Sequence, residues 1–544
     1  MMQIINPNRE WRNKFAIWGV LTLILILEVN QFQCLSEMAF KTPKLGMLSS
    51  LERISKTDGR SLPLTIQLYA ARRESESFQV VLQAPSKKLT RVNVSVSDLV
   101  NRKRQVISKQ NITLYREQYV QVKQGTITSW SDQNPPQPPG WYPDGLIPMI
   151  DSVTGNPPIT QGITDSNLIS SSFTIQGKSN QPIWVDVYIP AATPPGDYAG
   201  KVTVTSDQGT LEGSIALKVW NFTLPTAPAL QSSFEVWTAK TEQTDQELLK
   251  HRIMPKKISG DLVKLRSQGL STAHLGYWSG ADINSCKMQP APSVTELKAE
   301  ASKYSSLLKL YNQTADEIDA CPGLYPILKQ WARNLHEAGV QNLVTMTPNP
   351  NLYNDGDGRS AVDIWAVLPK MYDAAPSQIQ QVRKNGNHIW SYNALSQDSY
   401  SPKWEIDFPP VNYRIQPGFI SQSLGLTGLL YWRVDLWTKD PWHDVQTYFQ
   451  GSDRSFAGEG MLVYPGAPIG VQGVVPSMRL KWLRDGVDDY DYINILKGLG
   501  QEAWALSTAH QAGSSWNNWT REPKIIESVR QRLGTEIDRL SSKI

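Results

Sequence analysis

Asp316 and Glu317 stand side by side where the apolar run Leu307-Leu308-Lys309-Leu310-Tyr311 passes through Asn312-Gln313-Thr314-Ala315 into two carboxylates. A strand that ends in two acids can supply acid–base chemistry at a sugar: one carboxyl protonates a leaving oxygen while the other steadies charge. Adjacent acids are also common on solvated surfaces, so the surroundings must decide between the two. The chain carries 19 Trp and 20 Tyr against 11 Phe; flat rings with a polar edge suit sugar contact as well as packing. Basic and acidic residues nearly balance, 54 against 50, which gives a nucleic-acid partner no footing. Only six His are present, and none has the spacing of a metal site, so neither metal nor cofactor is expected.

The elements that must position this pair fall into two blocks, and 544 residues are too many for one core. From residue 41 to 225 the chain reads as short strands, Phe78–Leu82, Val92–Val96, Trp184–Pro190, Gly200–Thr205 and Ser214–Trp220, punctuated by Pro and Gly turns. That pattern predicts an all-β sandwich. A Pro-, Gly- and Asn-rich stretch, Ser129 to Asn167, reads as a long excursion from it, and Trp130, Trp141, Tyr142 and Ile147 make it apolar enough to pack on a neighbour. Past the linker Leu224-Pro225-Thr226-Ala227-Pro228, strands alternate with helices from 229 to 500. Strands are expected at Ser232–Trp237, Thr272–Leu275, Leu307–Glu317, Asn342–Met346, Val362–Ala366, His388–Tyr392 and Gly428–Trp432. About seven or eight such units predict a (β/α)8 TIM-type barrel. Pro476 to Leu499 reads as a helix with a bend or break at Asp485-Gly486. Residues 501–544 form a helical C-terminal extension with an amphipathic segment from Pro523.

Residues 1–40 have a different purpose. Arg9, Arg12 and Lys14 precede an apolar run from Phe15 to Leu27, the layout of an export signal, and the run is shorter than the ~20 residues of a spanning helix. No clean small-x-small cleavage site follows, so an uncleaved N-terminal membrane anchor is the alternative. The expected location is periplasmic, extracellular or anchored at the outer face of the membrane. Export permits disulfides, and Cys286 with Cys321 is the internal pair left once Cys34 is set aside with the signal. A bond between them would brace the loop just past Glu317; the alternative is two free thiols.

The string Pro476-Ser477-Met478-Arg479-Leu480-Lys481-Trp482-Leu483-Arg484-Asp485-Gly486-Val487-Asp488-Asp489-Tyr490-Asp491-Tyr492 resembles the C-terminal hallmark of glycoside hydrolase family 123 and its relatives. Gly460–Gly466, Gly428–Trp432, Val362–Trp365, His251–Pro255 and Glu76–Gln79 resemble the same family in the same order. The resemblance implies a β-sandwich on a (β/α)8 barrel and retaining hydrolysis of a β-linked N-acetylhexosamine, typically N-acetylgalactosamine. It also implies that the adjacent Asp316-Glu317 is the catalytic dyad, although Ile318 stands where the family often has Pro.

Neighbouring residues of one strand do not easily straddle a sugar as two opposed carboxylates do. Substrate-assisted hydrolysis removes that need, because the substrate's own 2-acetamido oxygen attacks the anomeric carbon. In this scheme Glu317 is the acid and then base, and Asp316 orients the acetamido N–H. Side chains alternate along a strand, so both can serve one site only where the strand ends or bulges. Tyr392 is a candidate to hydrogen-bond the acetamido oxygen, and Trp390, Trp432 and Trp278 are candidates to floor the sugar subsite; the alternative for each ring, and the stronger one for the tryptophans, is packing inside the barrel. Asp407 and Arg433 are candidates for hydroxyl contacts. Arg484-Asp485 reads as structural, an ion pair or cap. The expected partner is thus a glycan with a 2-acetamido sugar. The competing reading is a non-catalytic carbohydrate-binding or cell-envelope protein on the same fold, and oligomeric state is not legible.

Overall fold

The computed structural model describes residues 41–127, 133–304, 306–451 and 454–542; residues 1–40, for which an export signal is expected, and Trp130 lie outside them. Two sheets open the chain. The first runs, in spatial order, Lys44–Ser49, Ser75–Gln83, Asn180–Tyr188, Ile112–Val122 and Gly140–Pro148. The second runs Thr65–Arg72, Gly209–Thr223, Gly196–Ser206, Leu89–Val96 and Phe173–Ile175. Alternating residues of both, among them Phe78, Val80 and Ile183 against Val202, Ile215 and Leu217, share one apolar core, as the period of two requires.

The Ser129 to Asn167 stretch is not loop throughout, because Gly140–Pro148 pairs antiparallel with Ile112–Val122 as an edge strand. Its register slips between Gln118 and Tyr119, opposite Asp144. The excursion leans on the second domain. Gln133 and Asn134 donate backbone N–H groups to the Ser399 carbonyl at 3.0 and 3.2 Å, and Gln137 donates to that of Asp407 at 2.7 Å. Ile147 is buried in a cluster with Trp442 and Tyr464, and Tyr142 packs against it. Trp141 stays exposed, with the Lys56 ammonium 3.5 Å from its ring centre.

The second domain is built on parallel strands, labelled β1 (Gln231–Phe234), β2 (Thr272–His274), β3 (Lys309–Asp316), β4 (Gln341–Thr345), β5 (Ile364–Val367), β6 (His388–Asn393) and β7 (Gly428–Tyr431). Their order is β1-β7-β6-β5-β4-β3-β2, a sheet curled until its two edges approach. Among the described residues these are seven strands, not the eight expected. In the remaining gap, beside β1, lies Met254-Pro255-Lys256: Phe234 N–H donates to the Met254 carbonyl at 3.1 Å and Lys256 N–H to the Phe234 carbonyl at 2.8 Å. A stretch with one bridge is too short to show a period. Tyr311, Leu343, Ile364, Trp390, Tyr392 and Leu430 fill the interior.

One helix, α1 (Met478–Gly498), capped by Ser477, is buried on nearly every face. It runs unbroken through Asp485-Gly486, so the helix break offered as one reading of that pair does not occur. Gly486 is there for closeness: a Cβ would sit 2.4 Å from the Arg414 carbonyl oxygen and 2.5 Å from Pro417 Cγ. The segment it meets contains a π-helical turn, Gln416–Ile420, whose Gly418 approaches Gly486 in return. The final helix, α2 (Pro523–Ser541), lies on the sandwich, with Gly534 against the Trp220 ring. Among the described residues no helix is long and apolar enough to cross a membrane.

Candidate active site

A cavity of about 1220 Å³ opens at the C-terminal ends of the parallel strands, and Asp316, Glu317 and Tyr392 line it together. This is the face where barrel enzymes place their chemistry. Two local irregularities put both acids on it. Along β3, Gln313 pairs with Leu343 but Ala315 pairs with Val344, so Thr314 is one residue too many. The bulge resets the alternation: Tyr311 and Gln313 face the interior, and Asp316 joins them where Ala315 would otherwise have stood. Glu317 then turns out of the strand in the left-handed region, φ 49° and ψ 37°, which costs a non-glycine residue about 1–2 kcal/mol. Its N–H still donates to the Thr345 carbonyl, at 2.6 Å.

The electrostatics of the pair are unequal. Burial, and then the charge of Glu317, push the Asp316 carboxyl up to about 6, against a hydrogen bond from Thr345 and the charge of Lys256. Asp316 Oδ1 is buried with no hydrogen-bond partner in the protein. Burial, reinforced by Asp316 and Glu317, holds the Tyr392 phenol well above its usual range, so it is a neutral donor beside two acids.

The other expected contacts divide. Trp432 and Trp278 line the cavity. Trp390 does not: it is fully buried, two residues before Tyr392 on the same face of β6 and so one layer deeper. Its ring packs 5.6 Å from that of Tyr311, and Gly428 is glycine because a Cβ would lie 2.4 Å from the indole. Asp407 is also away from the cavity, accepting from Thr126 N–H at 2.6 Å and Oγ1 at 2.8 Å; it ties the excursion to the barrel. Arg433 bonds Asp435 at 3.2 Å and lies 4.8 Å over the Trp237 ring, so it positions an aromatic instead of meeting substrate. Cys286 and Cys321 are disulfide-bonded, with Cα atoms 5.4 Å apart. Arg484 and Asp485 pair at 2.9 Å inside α1.

Several cavity residues carried no sequence signal. Trp237 follows β1, and Tyr448 and Arg454 come from a hairpin that belongs to no barrel strand. His274 ends β2; its Nδ1 accepts the Gly276 N–H at 2.9 Å, and burial, then Lys256 and Lys257, keep it neutral. Glu459, behind the wall, accepts the Trp432 Nε1–H at 2.5 Å, and burial pushes its carboxyl up to about 7. Trp432 meets Tyr448 edge-on at 5.8 Å and Trp237 at 6.2 Å, which makes that side an aromatic corner. Among the described residues no group of three or more His, Cys, Asp or Glu is placed to hold a metal ion.

With this geometry in place, comparisons add kinship. Residues 54–206 match the glycoside hydrolase 123 N-terminal domain and residues 338–496 the glycoside hydrolase 123 catalytic domain. The second match begins past Asp316-Glu317, so the dyad stands on geometry. A family 123 glycoside hydrolase from Clostridium perfringens, studied for glycolipid glycan hydrolysis, superposes with a TM-score of 0.64 at 14% identity, covering 92% of this chain and 99% of that one. A β-glucuronidase from Parabacteroides merdae reaches a TM-score of only 0.25 at 10% identity, over 73% of this chain and 47% of its own, too little to bear on the fold. No curated protein matches the chain.

Proposed function

The chain belongs to glycoside hydrolase family 123 and is a glycosidase with a glycan substrate, and on that premise we propose retaining, substrate-assisted cleavage of a β-linked N-acetylhexosamine, N-acetylgalactosamine above all. The observation that carries the proposal is Asp316 Oδ1, buried at the cavity with no protein donor. An acetamido N–H supplies the missing hydrogen bond, and a buried acceptor left unmet costs about 1–3 kcal/mol. Asp316 is ionised at neutral pH because its titration centres near 6. In that state it holds the N–H and favours the positive charge that develops as the acetamido oxygen bonds to the anomeric carbon.

Glu317 protonates the glycosidic oxygen as the bond to the aglycone breaks. It then takes a proton from the water that opens the cyclised intermediate, so two inversions give net retention. Tyr392 donates to the acetamido oxygen, and Trp432 walls the subsite. Adjacent acids suffice because the nucleophile comes from the substrate, not from a carboxylate across the ring. Export belongs to the same proposal, supported by the Arg9 to Leu27 layout and by a disulfide beside the site.

The test sets aryl 2-acetamido-2-deoxy-β-glycosides against the matching 2-hydroxy sugars, with the protein and with Asp316→Asn. We expect turnover of the acetamido series, lost in the variant by about 10²-fold or more, and little effect on any 2-hydroxy substrate that is cleaved. Equal impairment of both series would falsify the substrate-assisted mechanism.

A further inference from the structure

The dyad accounts for two of the charges on the cavity, and the rest are mostly of one sign. Lys240, Lys256, Lys257, Lys370 and Arg454 line it against a single further acid, Glu235. Glu235 is shared between two ammoniums, Lys256 at 2.7 Å and Lys257 at 3.6 Å, so that flank stays net positive. Lys240 and Lys370 are exposed and make no salt bridge among the described residues. Low-dielectric walls focus such a field onto whatever enters.

Size and aromatic placement indicate more than one sugar. About 1220 Å³ exceeds the ~300–1,000 Å³ that encloses a drug-sized ligand. Trp237 and Trp278, 51% and 52% exposed, line the cavity beside the lysines, and large exposed aromatics at a concave site are sugar platforms in waiting. Trp237 follows β1, Lys256 and Lys257 fill the gap between β1 and β2, and Trp278 follows β2. This flank therefore lies to one side of the dyad, which ends β3, and across the cavity from Tyr392 on β6.

Resting on the reading above, we propose that the sugar next to the cleaved hexosamine carries an oxyanion, a carboxylate or a sulfate ester, held by Lys240, Lys256 and Lys257 between Trp237 and Trp278. Charge-assisted hydrogen bonds from ammonium groups are the chemistry that selects such a substituent. Glu235 keeps two of the ammoniums in place and leaves the flank cationic.

The experiment uses three disaccharide substrates with the same non-reducing β-N-acetylhexosamine, linked to a neutral hexose, to the corresponding uronate, or to its sulfate ester. At low salt, kcat/KM for at least one anionic substrate is expected to exceed the neutral one about tenfold, equivalent to ~1.4 kcal/mol, and the advantage shrinks as salt screens the flank. Comparing uronate with sulfate identifies the oxyanion. Lys240→Gln and Lys257→Gln are expected to move the anionic-to-neutral ratio toward one, while Lys240→Arg retains it. If acetamido substrates turn over but the ratio is already one and the glutamine variants leave it there, the flank does not select an anion, although the reading of the dyad survives. If no acetamido substrate turns over at all, the dyad reading falls and takes this inference with it.

Discussion

The helix α1 and the cavity are both crowded with buried charge, and they treat it in opposite ways. Around α1, Arg479 pairs with Asp144 at 2.9 Å, Lys481 with Asp186 at 2.6 Å, Arg414 with Asp489 at 2.7 Å and Arg252 with Asp488 at 2.7 Å. Arg530 reaches Glu74 at 2.6 Å and Glu76 at 2.7 Å. At the cavity, Asp316 keeps an unpartnered oxygen, and Glu405 and Glu459 just behind it keep three more between them. Burial raises carboxyls in both places, Asp316 at the site and Glu76, Asp488 and Asp489 beside α1, but around α1 arginines at ion-pair distance oppose it and are held firmly charged in return. Matched charges build the frame; at the cavity, Asp316 leaves an acceptor open to a substrate. The sequence string most specific to the family thus reports architecture, and the plainer Asp-Glu pair reports chemistry.

That contrast can be broken at several points. The largest effect is expected from Glu317→Gln, which should lower kcat by about 10²–10⁴-fold while the thermal midpoint stays put, because the side chain holds nothing together. Arg479→Met should do the reverse. It leaves Asp144 buried without its cation and costs ~3–5 kcal/mol of stability, read by denaturant titration, with kcat per folded molecule little changed. Gly486→Ala drives a Cβ against the Arg414 carbonyl and should cost ~1–3 kcal/mol. A variant as stable as the parent would show that the helix crossing has slack.

The smallest of these effects sharpens the comparison instead of breaking it. Asp316 must be ionised to hold an acetamido N–H, and its titration is raised to about 6. Activity should therefore be present above that pH and fall as pH drops through it, about tenfold per unit in kcat/KM for acetamido substrates. A profile flat down to the ordinary carboxylate range would mean that Asp316 is not the group on which turnover depends.

Much of this was legible in the residues, and the failures have physical causes. Strands with clean alternation, such as Val92–Val96, lie where the pattern puts them. Gly140–Pro148 was hidden because Pro143 and Gly145 read as turn residues, yet an edge strand tolerates them; its irregular register falls opposite Asp144, the partner of Arg479. The Met254–Lys256 bridge was too short to show a period. Trp390 takes the packing alternative because residues two apart share a face but not a depth, so Tyr392 meets the cavity and Trp390 lies beneath it. Asp407 could not be placed from its neighbours, since Thr126, its partner, is 281 positions away. Both dyad residues reach one site through a bulge and a left-handed turn, neither of which has a sequence signature here beyond the polar run Asn312-Gln313-Thr314.

The pairing of α1 across the domain boundary sets how this protein can come apart. Arg479, Lys481 and Arg484 belong to the second half of the chain, but Asp144, Asp186 and Ser77, which meet them, belong to the first. Neither half can lose the other without stranding charge in an apolar interior. The two domains are therefore expected to unfold as one cooperative unit, with a single calorimetric transition as the check. The linker at Pro225 looks like a seam, yet it joins parts held together by buried charge pairs.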